Sequence, residues 1–287
     1  MIKTIGLVVN PDKPEAFALA QELEREASSL SMAVVAESPC PASLNCRCLP
    51  LSELADESDV VLVLGGDGSL LRVARKAAPR GKLIVGIHFG KYGFITEIKP
   101  GEAILALRDI VSGDFSVSER LMLHAELLRQ GEVAGDHFSL NDVVVARGHL
   151  SRLVRLRVNV GPREVVRYSA DGIVIATPTG STAYSLSAGG PVVHPDIDAM
   201  ILTPIAPHTL NSRALVIPAD EPIRVTAESG AVDGVVTVDG QRMETLQDGD
   251  VVRISKASFG AKLVQIRSSA FYEHLESRLG FGDRYDR

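Results

Sequence analysis

The stretch Val60-Val61-Leu62-Val63-Leu64-Gly65-Gly66-Asp67-Gly68-Ser69 decides the fold. Five consecutive apolar residues suit a strand buried on both faces, the kind found in a parallel sheet covered by helices. Ser69 to Ala78 then reads as a helix, stopped by Pro79. A glycine-rich segment between a buried strand and a helix is a phosphate-binding position, because the helix N-terminus offers free N–H groups and a partial positive charge. Gly65, Gly66 and Gly68 let the backbone turn and approach a ligand without Cβ interference. Asp67 is the unusual member. A carboxylate repels phosphate, so its presence points to a proton acceptor or cation-binding group beside the phosphates; the alternative is an ordinary helix cap.

Outward from this turn, the chain alternates strands and helices. Ile5 to Val9 reads as a strand. Asp12 with Glu15 makes a candidate capping box for a helix carrying Phe17, Leu19, Ala20, Leu23, Ala27 and Leu30 at helical spacing. Met32 to Ala36 and Leu83 to Ile87 are further strands. This alternation predicts a parallel sheet with packed helices over residues 1–116. From Val117 the period changes to two, clearest where Val154, Leu156, Val158 and Val160 alternate with Arg155, Arg157 and Asn159. Turn signals at Gln130-Gly131, Gly161-Pro162, Ser229-Gly230, Asp239-Gly240 and Asp248-Gly249 predict layered antiparallel strands, a β-sandwich, over residues 117–265. Residues 266–287 form a last segment with Phe271, Leu275 and Leu279 on one helical face, packing back on the first domain.

Composition excludes several classes. The 287 residues are 45% hydrophobic and carry a net charge of -6, so no bulk basic field exists to hold a nucleic-acid backbone. Membrane association is also not expected, since no apolar run approaches ~18 residues, and the N-terminus lacks the long apolar core of a signal peptide. Cys40, Cys46 and Cys48, an odd number in one segment, are a poor disulfide framework and suggest a cytoplasmic protein; as metal ligands they match no zinc spacing. No dedicated metal site is expected. Gly86 to Lys91 fails as a Walker loop, and Leu71 occupies the third glycine position of a dinucleotide fingerprint.

The second dense segment is Ala170-Asp171-Gly172-Ile173-Val174-Ile175-Ala176-Thr177-Pro178-Thr179-Gly180-Ser181-Thr182-Ala183-Tyr184-Ser185-Leu186-Ser187-Ala188-Gly189-Gly190. A strand from Ile173 to Ala176 leads into a polar turn and a helix ending at Gly189-Gly190, which gathers hydroxyls and amides at a second helix N-terminus. The alternative is that Thr179, Ser181 and Thr182 are simply turn and cap residues.

With the Gly65–Gly68 turn, the pair Asn141-Asp142 and this segment in order, the sequence resembles the NAD kinase family. Gly90-Lys91-Tyr92-Gly93-Phe94, Leu202 to His208 and Val238-Asp239-Gly240-Gln241 extend the resemblance over most of the chain. The resemblance implies transfer of the γ-phosphoryl group of ATP, with magnesium, to the 2′-hydroxyl of the adenosine ribose of NAD. It makes Asp67 the general base, with Gly66 and Gly68 in the phosphate turn. Asn141 and Asp142 contact the ribose or phosphates, Ser169 and Asp171 lie near the nicotinamide, and Thr179, Thr182, Ala183, Tyr184, Ser187 and Gln241 line the NAD site. Phe94 packs on a base. Arg72 and Lys91 touch a phosphate or are simply solvated. A homodimer or homotetramer assembled through the β domain, completing the NAD site across subunits, is implied too.

Four positions depart from the common family pattern. Ser69 replaces threonine, Asp142 stands where glutamate is frequent, His88 replaces asparagine, and Ser169 occupies a position where many bacterial members carry arginine. The last leaves the choice between NAD and NADH open. A lipid kinase shares the glycine-rich turn but needs an apolar pocket for its acceptor, and an NAD(P)-sensing protein has no need of Asp67.

Overall fold

The computed structural model describes every residue except 1, 42, 90–92, 97, 149–152, 209, 210, 230–233, 267–270 and 280–287. Lys91 and Tyr92, named above, lie outside the described residues. The chain divides into two compact units, residues 1–119 with 261–287 and residues 120–260.

In the first unit, β1 (Thr4–Val9), α1 (Pro14–Ser29), β2 (Ala33–Glu37), β3 (Arg47–Leu49), α2 (Leu51–Glu57), β4 (Val60–Gly65), α3 (Asp67–Ala77), β5 (Leu83–His88), α4 (Ala103–Ser112) and β6 (Ser116–Arg120) follow in order. The sheet runs β3-β2-β1-β4-β5 with every neighbouring pair parallel. Every residue of β4 is buried, as its apolar run requires. One face of α3, with Leu70, Val73, Ala74 and Ala77, is buried, while Arg75 and Lys76 sit in its last turn, where positive charge complements the helix dipole. Leu62, Leu64, Val85 and Ile87 join Leu19, Leu23, Leu107 and Ile110 in one core; each such side chain withdrawn from water contributes about 1.5–3 kcal/mol.

Three local expectations are corrected. Asp12 and Glu15 form no capping box: α1 starts at Pro14 with Lys13 at its N-cap and no side-chain cap. Asp12 instead donates its N–H to Asn10 Oδ1 at 3.0 Å. The chain reverses through an Asn-anchored turn, which Pro11 and Pro14 favour over an earlier helix start. Second, α3 begins at Asp67, two residues before the predicted start. Third, the strand Ala261–Gln265 (β19 in chain order), which the sequence boundary assigns to the β-rich part, extends the first sheet beside β5, pairing parallel to it. Its alternation does not distinguish a sandwich strand from a strand of the first sheet, where it lies between β5 and β6.

The second unit holds β7 (Leu123–Arg129), β8 (Glu132–Ser139), β9 (Asp142–Ala146), β10 (Val154–Val160), β11 (Arg163–Ala170), β12 (Gly172–Ala176), α5 (Tyr184–Ser187), β13 (Ala199–Ile205), β14 (Leu215–Pro218), β15 (Ile223–Ser229), β16 (Val235–Val238), β17 (Gln241–Thr245) and β18 (Val251–Lys256). They form two six-stranded sheets, β11-β10-β15-β18-β7-β8 and β14-β13-β12-β9-β16-β17. Inward residues of both, among them Leu156, Val158, Ile173, Ile175, Met200 and Val225, share one core, so this half is a layered β-sandwich. The turn signals act through backbone conformation: Gln130, Gly131, Gly161, Asp239, Gly240 and Gly249 all have positive φ. After β19 comes α6 (Phe271–Leu279), in the first unit; Leu275 is buried and Leu279 is 38% exposed.

Candidate functional site

In the first unit the Gly65–Gly68 turn sits at the C-terminal end of β4. None of its glycines has a positive φ, so the turn does not use their left-handed freedom. Gly66, the N-cap of α3, is extended at φ -109° and ψ -174°. What the glycines provide is space. A Cβ on Gly66 or Gly68 would meet nothing within 4 Å, whereas a Cβ on Gly65 would lie 2.7 Å from Ser69 Oγ and 3.2 Å from Asn10 Cβ. The turn thus packs tightly at Gly65 and leaves open space at Gly66 and Gly68, beside the N-terminus of α3, room that a phosphate cradle requires.

Asp67 does not cap the helix. Its Oδ2 accepts the N–H of Phe94 at 2.7 Å, and its Oδ1 accepts the N–H of Ile95 at 3.4 Å and of Thr96 at 3.2 Å, together with the Thr96 hydroxyl at 3.0 Å. This half-buried carboxylate therefore ties the segment Gly93–Thr96 to the start of α3. Gly93 is demanded by the arrangement, because a Cβ there would overlap Asp67 Oδ1. Arg72, one and a half turns along α3, makes a two-pronged ion pair with Glu37 at the end of β2, with Nη2 donating to Oε2 at 2.7 Å. In this conformation its guanidinium is committed to a protein carboxylate. Glu37 was not singled out in the sequence; an acidic residue ending a strand carries no signal until its partner is in place.

The second unit brings Asn141, Asp142, Thr179, Thr182, Ala183 and Tyr184 together at one end of β9 and β12. The hub is Asp239, in the β16–β17 turn. Its carboxylate accepts the Ser139 hydroxyl at 2.7 Å and the N–H groups of Asn141 at 2.8 Å, Leu140 at 3.3 Å and Asp142 at 3.4 Å. Thr177 fastens the other side: its Oγ donates to the Leu140 carbonyl at 2.6 Å and accepts the Gly180 N–H at 2.9 Å. A Cβ on Gly180 would collide with the Asn141 carbonyl. With the backbone so held, Asn141 Oδ1 and Thr179 Oγ1 are buried without a hydrogen-bond partner. Buried polar atoms are nearly always hydrogen-bonded, so these two single out this end of the sheet as a candidate site. Asp142 is 4% exposed. Burial, then repulsion from Asp239, push its carboxyl up to about 7, against which the Tyr184 N–H holds it down.

The helix expected after Thr182 shrinks to a 3-10 turn, Thr179–Thr182, and the four residues of α5. Most hydroxyls of the segment serve the turn itself: Ser181 Oγ bridges to Val193, Ser185 Oγ meets Thr203 Oγ1 at 2.9 Å, and Thr182 Oγ1 donates to the Thr179 carbonyl at 3.3 Å. The turn-and-cap alternative thus describes Ser181 and Thr182 but not Thr179, and Ser185 is likewise used within the fold. Tyr184 is 46% exposed, and Ser187 and Gln241 are exposed.

Ser169 and Asp171 lie elsewhere. Asp171 precedes β12 and Thr177 follows it, so the two are about 20 Å apart along the strand at ~3.3 Å per residue. There Asp171 Oδ1 accepts from Arg147 Nε at 2.6 Å, and the Ser169 carbonyl accepts the His208 N–H at 2.9 Å. Arg147 was missed in the sequence, since it follows β9 with no motif around it.

Cys40 and Cys48 are joined as a disulfide with a Cα–Cα distance of 6.0 Å, which corrects the expectation of unpaired thiols. The short β3 strand, also unforeseen, folds Cys48 back alongside β2 and toward Cys40. Cys46 is free, and burial pushes its thiol up to about 11. Among the described residues no group of three or more His, Cys, Asp or Glu side chains could hold a metal ion. Among the same residues no helix is long and apolar enough to cross a membrane.

Residues 5–115 match the model of the ATP-NAD kinase N-terminal domain and residues 140–266 that of the ATP-NAD kinase C-terminal domain. The chain is 42% identical over 288 residues to the NAD kinase of Heliobacterium modesticaldum, covering 97% of this chain and 99% of that one. It is 40% identical to the NAD kinase of Moorella thermoacetica, covering 98% and 90%. Among solved structures it is similar to an NAD kinase from Archaeoglobus fulgidus in complex with ATP, with a TM-score of 0.77 and 26% identity over 96% of this chain and 98% of that one. Yeast NADH kinase complexed with NADH shares its fold at a TM-score of 0.91, with 24% identity over 99% and 89%.

Proposed function

The chain belongs to the NAD kinase family, and from that premise we propose that it transfers the γ-phosphoryl group of ATP to the 2′-hydroxyl of the adenosine ribose of NAD, giving NADP. The observation that carries this reading is Asp67: a carboxylate fixed by four hydrogen bonds beside an open, glycine-lined helix N-terminus. A ribose hydroxyl is a weak nucleophile. Accepting its proton and aligning it with the γ-phosphorus are the tasks left to protein groups, because the transition state needs little else from side chains. Asp67 is the general base, and Gly66 and Gly68 leave room for donor phosphates.

The donor enters as its magnesium complex, the cation being carried on phosphate oxygens and offsetting their charge. In the second unit Asn141 Oδ1 and Thr179 Oγ1 bind the nucleotide through their unused hydrogen-bonding capacity, with Asp142, Thr182, Ala183 and Tyr184 around them. Phe94, Ser187 and Gln241 complete the candidate contacts; Arg72 contributes through its pair with Glu37. The ~20 Å between the Thr177 and Asp171 ends of β12 supports a homodimer or homotetramer in which Ser169 and Asp171 serve the NAD site of another copy. A cytoplasmic location belongs to the same reading and rests on the nucleotide substrates, since two of the three cysteines are paired.

Purified protein with ATP, magnesium and NAD forms NADP, whereas no label passes from γ-labelled ATP to diacylglycerol or sphingosine. Asp67→Asn lowers kcat by about 10²–10⁴-fold, the range for a lost general base, and leaves NAD binding by calorimetry within about twofold. Wild-type turnover in that variant would remove the general-base assignment.

A further inference from the structure

The two carboxylate oxygens of Asp67 are held differently. Oδ1 accepts three hydrogen bonds, from the N–H groups of Ile95 at 3.4 Å and Thr96 at 3.2 Å and from the Thr96 hydroxyl at 3.0 Å. A carboxylate oxygen offers about two lone-pair directions, so Oδ1 has no capacity left. The backbone of Gly93 lies against it as well, since a Cβ there would be 1.6 Å away. Among the described residues Oδ2 accepts one bond, the Phe94 N–H at 2.7 Å, and keeps a lone pair open. One of the four donors is a side chain, the hydroxyl of the fully buried Thr96.

Packing sets where that hydroxyl sits. A Cβ on Gly86, in β5, would lie 2.8 Å from the Thr96 γ-methyl and 3.1 Å from its Cα, so the glycine leaves the space that Thr96 fills. Backbone bonds pin the segment there: the His88 N–H donates to the Ile98 carbonyl at 3.0 Å, and the Ile98 N–H to the Gly86 carbonyl at 3.2 Å. With its methyl seated against β5, Thr96 turns its hydroxyl to Asp67. Gly86 thus has a use that its failed Walker pattern does not indicate.

We propose that Thr96 is a positioning residue for phosphoryl transfer: its hydroxyl saturates Oδ1, fixes the rotation of the carboxylate and leaves Oδ2 as the oxygen that takes the ribose proton. The inference rests on the reading of Asp67 as general base and deepens it. In the step, the 2′-oxygen forms its bond to the γ-phosphorus and its proton passes to Oδ2. The bond from that phosphorus to the β–γ bridging oxygen breaks, its electron pair leaving on ADP. A carboxylate free to rotate does not hold one oxygen at the hydrogen-bond distance that proton transfer needs. A charge-assisted bond from a buried hydroxyl removes that freedom.

Thr96→Val removes the hydroxyl and keeps the shape, whereas Thr96→Ser keeps the hydroxyl and removes the methyl. In Thr96→Val kcat should fall by about tenfold to 10²-fold, the scale of a misplaced catalytic group, while the KM values for ATP and NAD stay within about twofold. Thr96→Ser should recover most of the lost kcat even where the missing methyl lowers its melting temperature. Activity that follows melting temperature instead of the hydroxyl marks Thr96 as merely structural and overturns the proposal. Should the valine variant fail to fold by circular dichroism, Thr96→Ala against Thr96→Ser makes the same comparison, the two differing by the hydroxyl alone. In an Asp67→Asn background, Thr96→Val should lower the residual kcat no further, because the hydroxyl acts through that carboxylate. Wild-type kcat in folded Thr96→Val beside a slow Asp67→Asn overturns this inference and leaves the general base standing; wild-type kcat in Asp67→Asn removes both.

Discussion

Asp67 Oδ2 accepts the backbone N–H of Phe94 at 2.7 Å, joining the first residue of α3 to a segment 27 positions further along the chain. The same carboxylate thus serves as the candidate base and as the anchor of the segment that follows Gly93. Its orientation is set before any substrate arrives, which reduces the reorganisation needed at the moment of reaction.

Gly93→Ala tests that preorganisation. The added methyl overlaps Asp67 Oδ1, so the carboxylate or the segment must move. Because a misplacement near 1 Å at a catalytic group costs about 10²-fold, kcat should fall by that order while the melting temperature changes little. Retention of more than half of wild-type kcat would show that Asp67 need not hold this position.

Asp239→Asn tests the hub of the second unit. The amide cannot accept on both of its terminal atoms, so at least one of the N–H groups of Leu140, Asn141 and Asp142 or the Ser139 hydroxyl loses its acceptor. Stability should drop by about 1–3 kcal/mol, the cost of a buried polar group left unpaired, and the KM for NAD should rise more than kcat falls. Urea unfolding and steady-state kinetics check the two effects separately; an unaltered KM would mean that Asn141 and Asp142 do not depend on Asp239.

The raised carboxyl of Asp142 makes a pH prediction. Its folded value of about 7 lies above its ordinary value of 3.8, so between these limits the folded state binds more protons than the unfolded one. Its stabilising contribution is fully present below about 3.8 and is lost as pH rises to 7, where the buried carboxyl must ionise. Asp142→Asn removes this dependence. Urea midpoints at pH 5.5 and pH 8 should therefore converge in the variant relative to the wild type, and an equal gap in both proteins would assign the slope to other groups.

The Cys40–Cys48 bond closes a loop with a sequence separation of 8. Constraining a loop of that size in the unfolded chain stabilises by about 2.5 kcal/mol in the chain-entropy model. Adding a phosphine reductant should lower the melting temperature of the wild type by several degrees and leave Cys40→Ser unaffected, while Cys46→Ser behaves as wild type. A reductant-insensitive wild type would show that the bond contributes nothing in solution.

Much of the fold is legible in the sequence. The unbroken apolar run Val60–Leu64 announced a strand buried on both faces, the alternation at Val154–Val160 announced a sandwich strand, and Asn-Gly-like turns at Gln130-Gly131 and Asp239-Gly240 marked hairpins, because these signals arise from local periodicity and from φ values that few residues tolerate. The same holds for Gly65–Gly68 and for Thr177–Tyr184, whose unusual composition marks them as candidate sites. Pairings between distant positions were decided by tertiary structure alone. No local pattern says that Asp67 will hold Phe94 and Thr96, that Arg72 will meet Glu37, that Cys48 will reach Cys40, or that Asp239 will organise Asn141 across about a hundred residues. Side-chain hydrogen bonds and ion pairs depend on which strand ends the sheet order brings together.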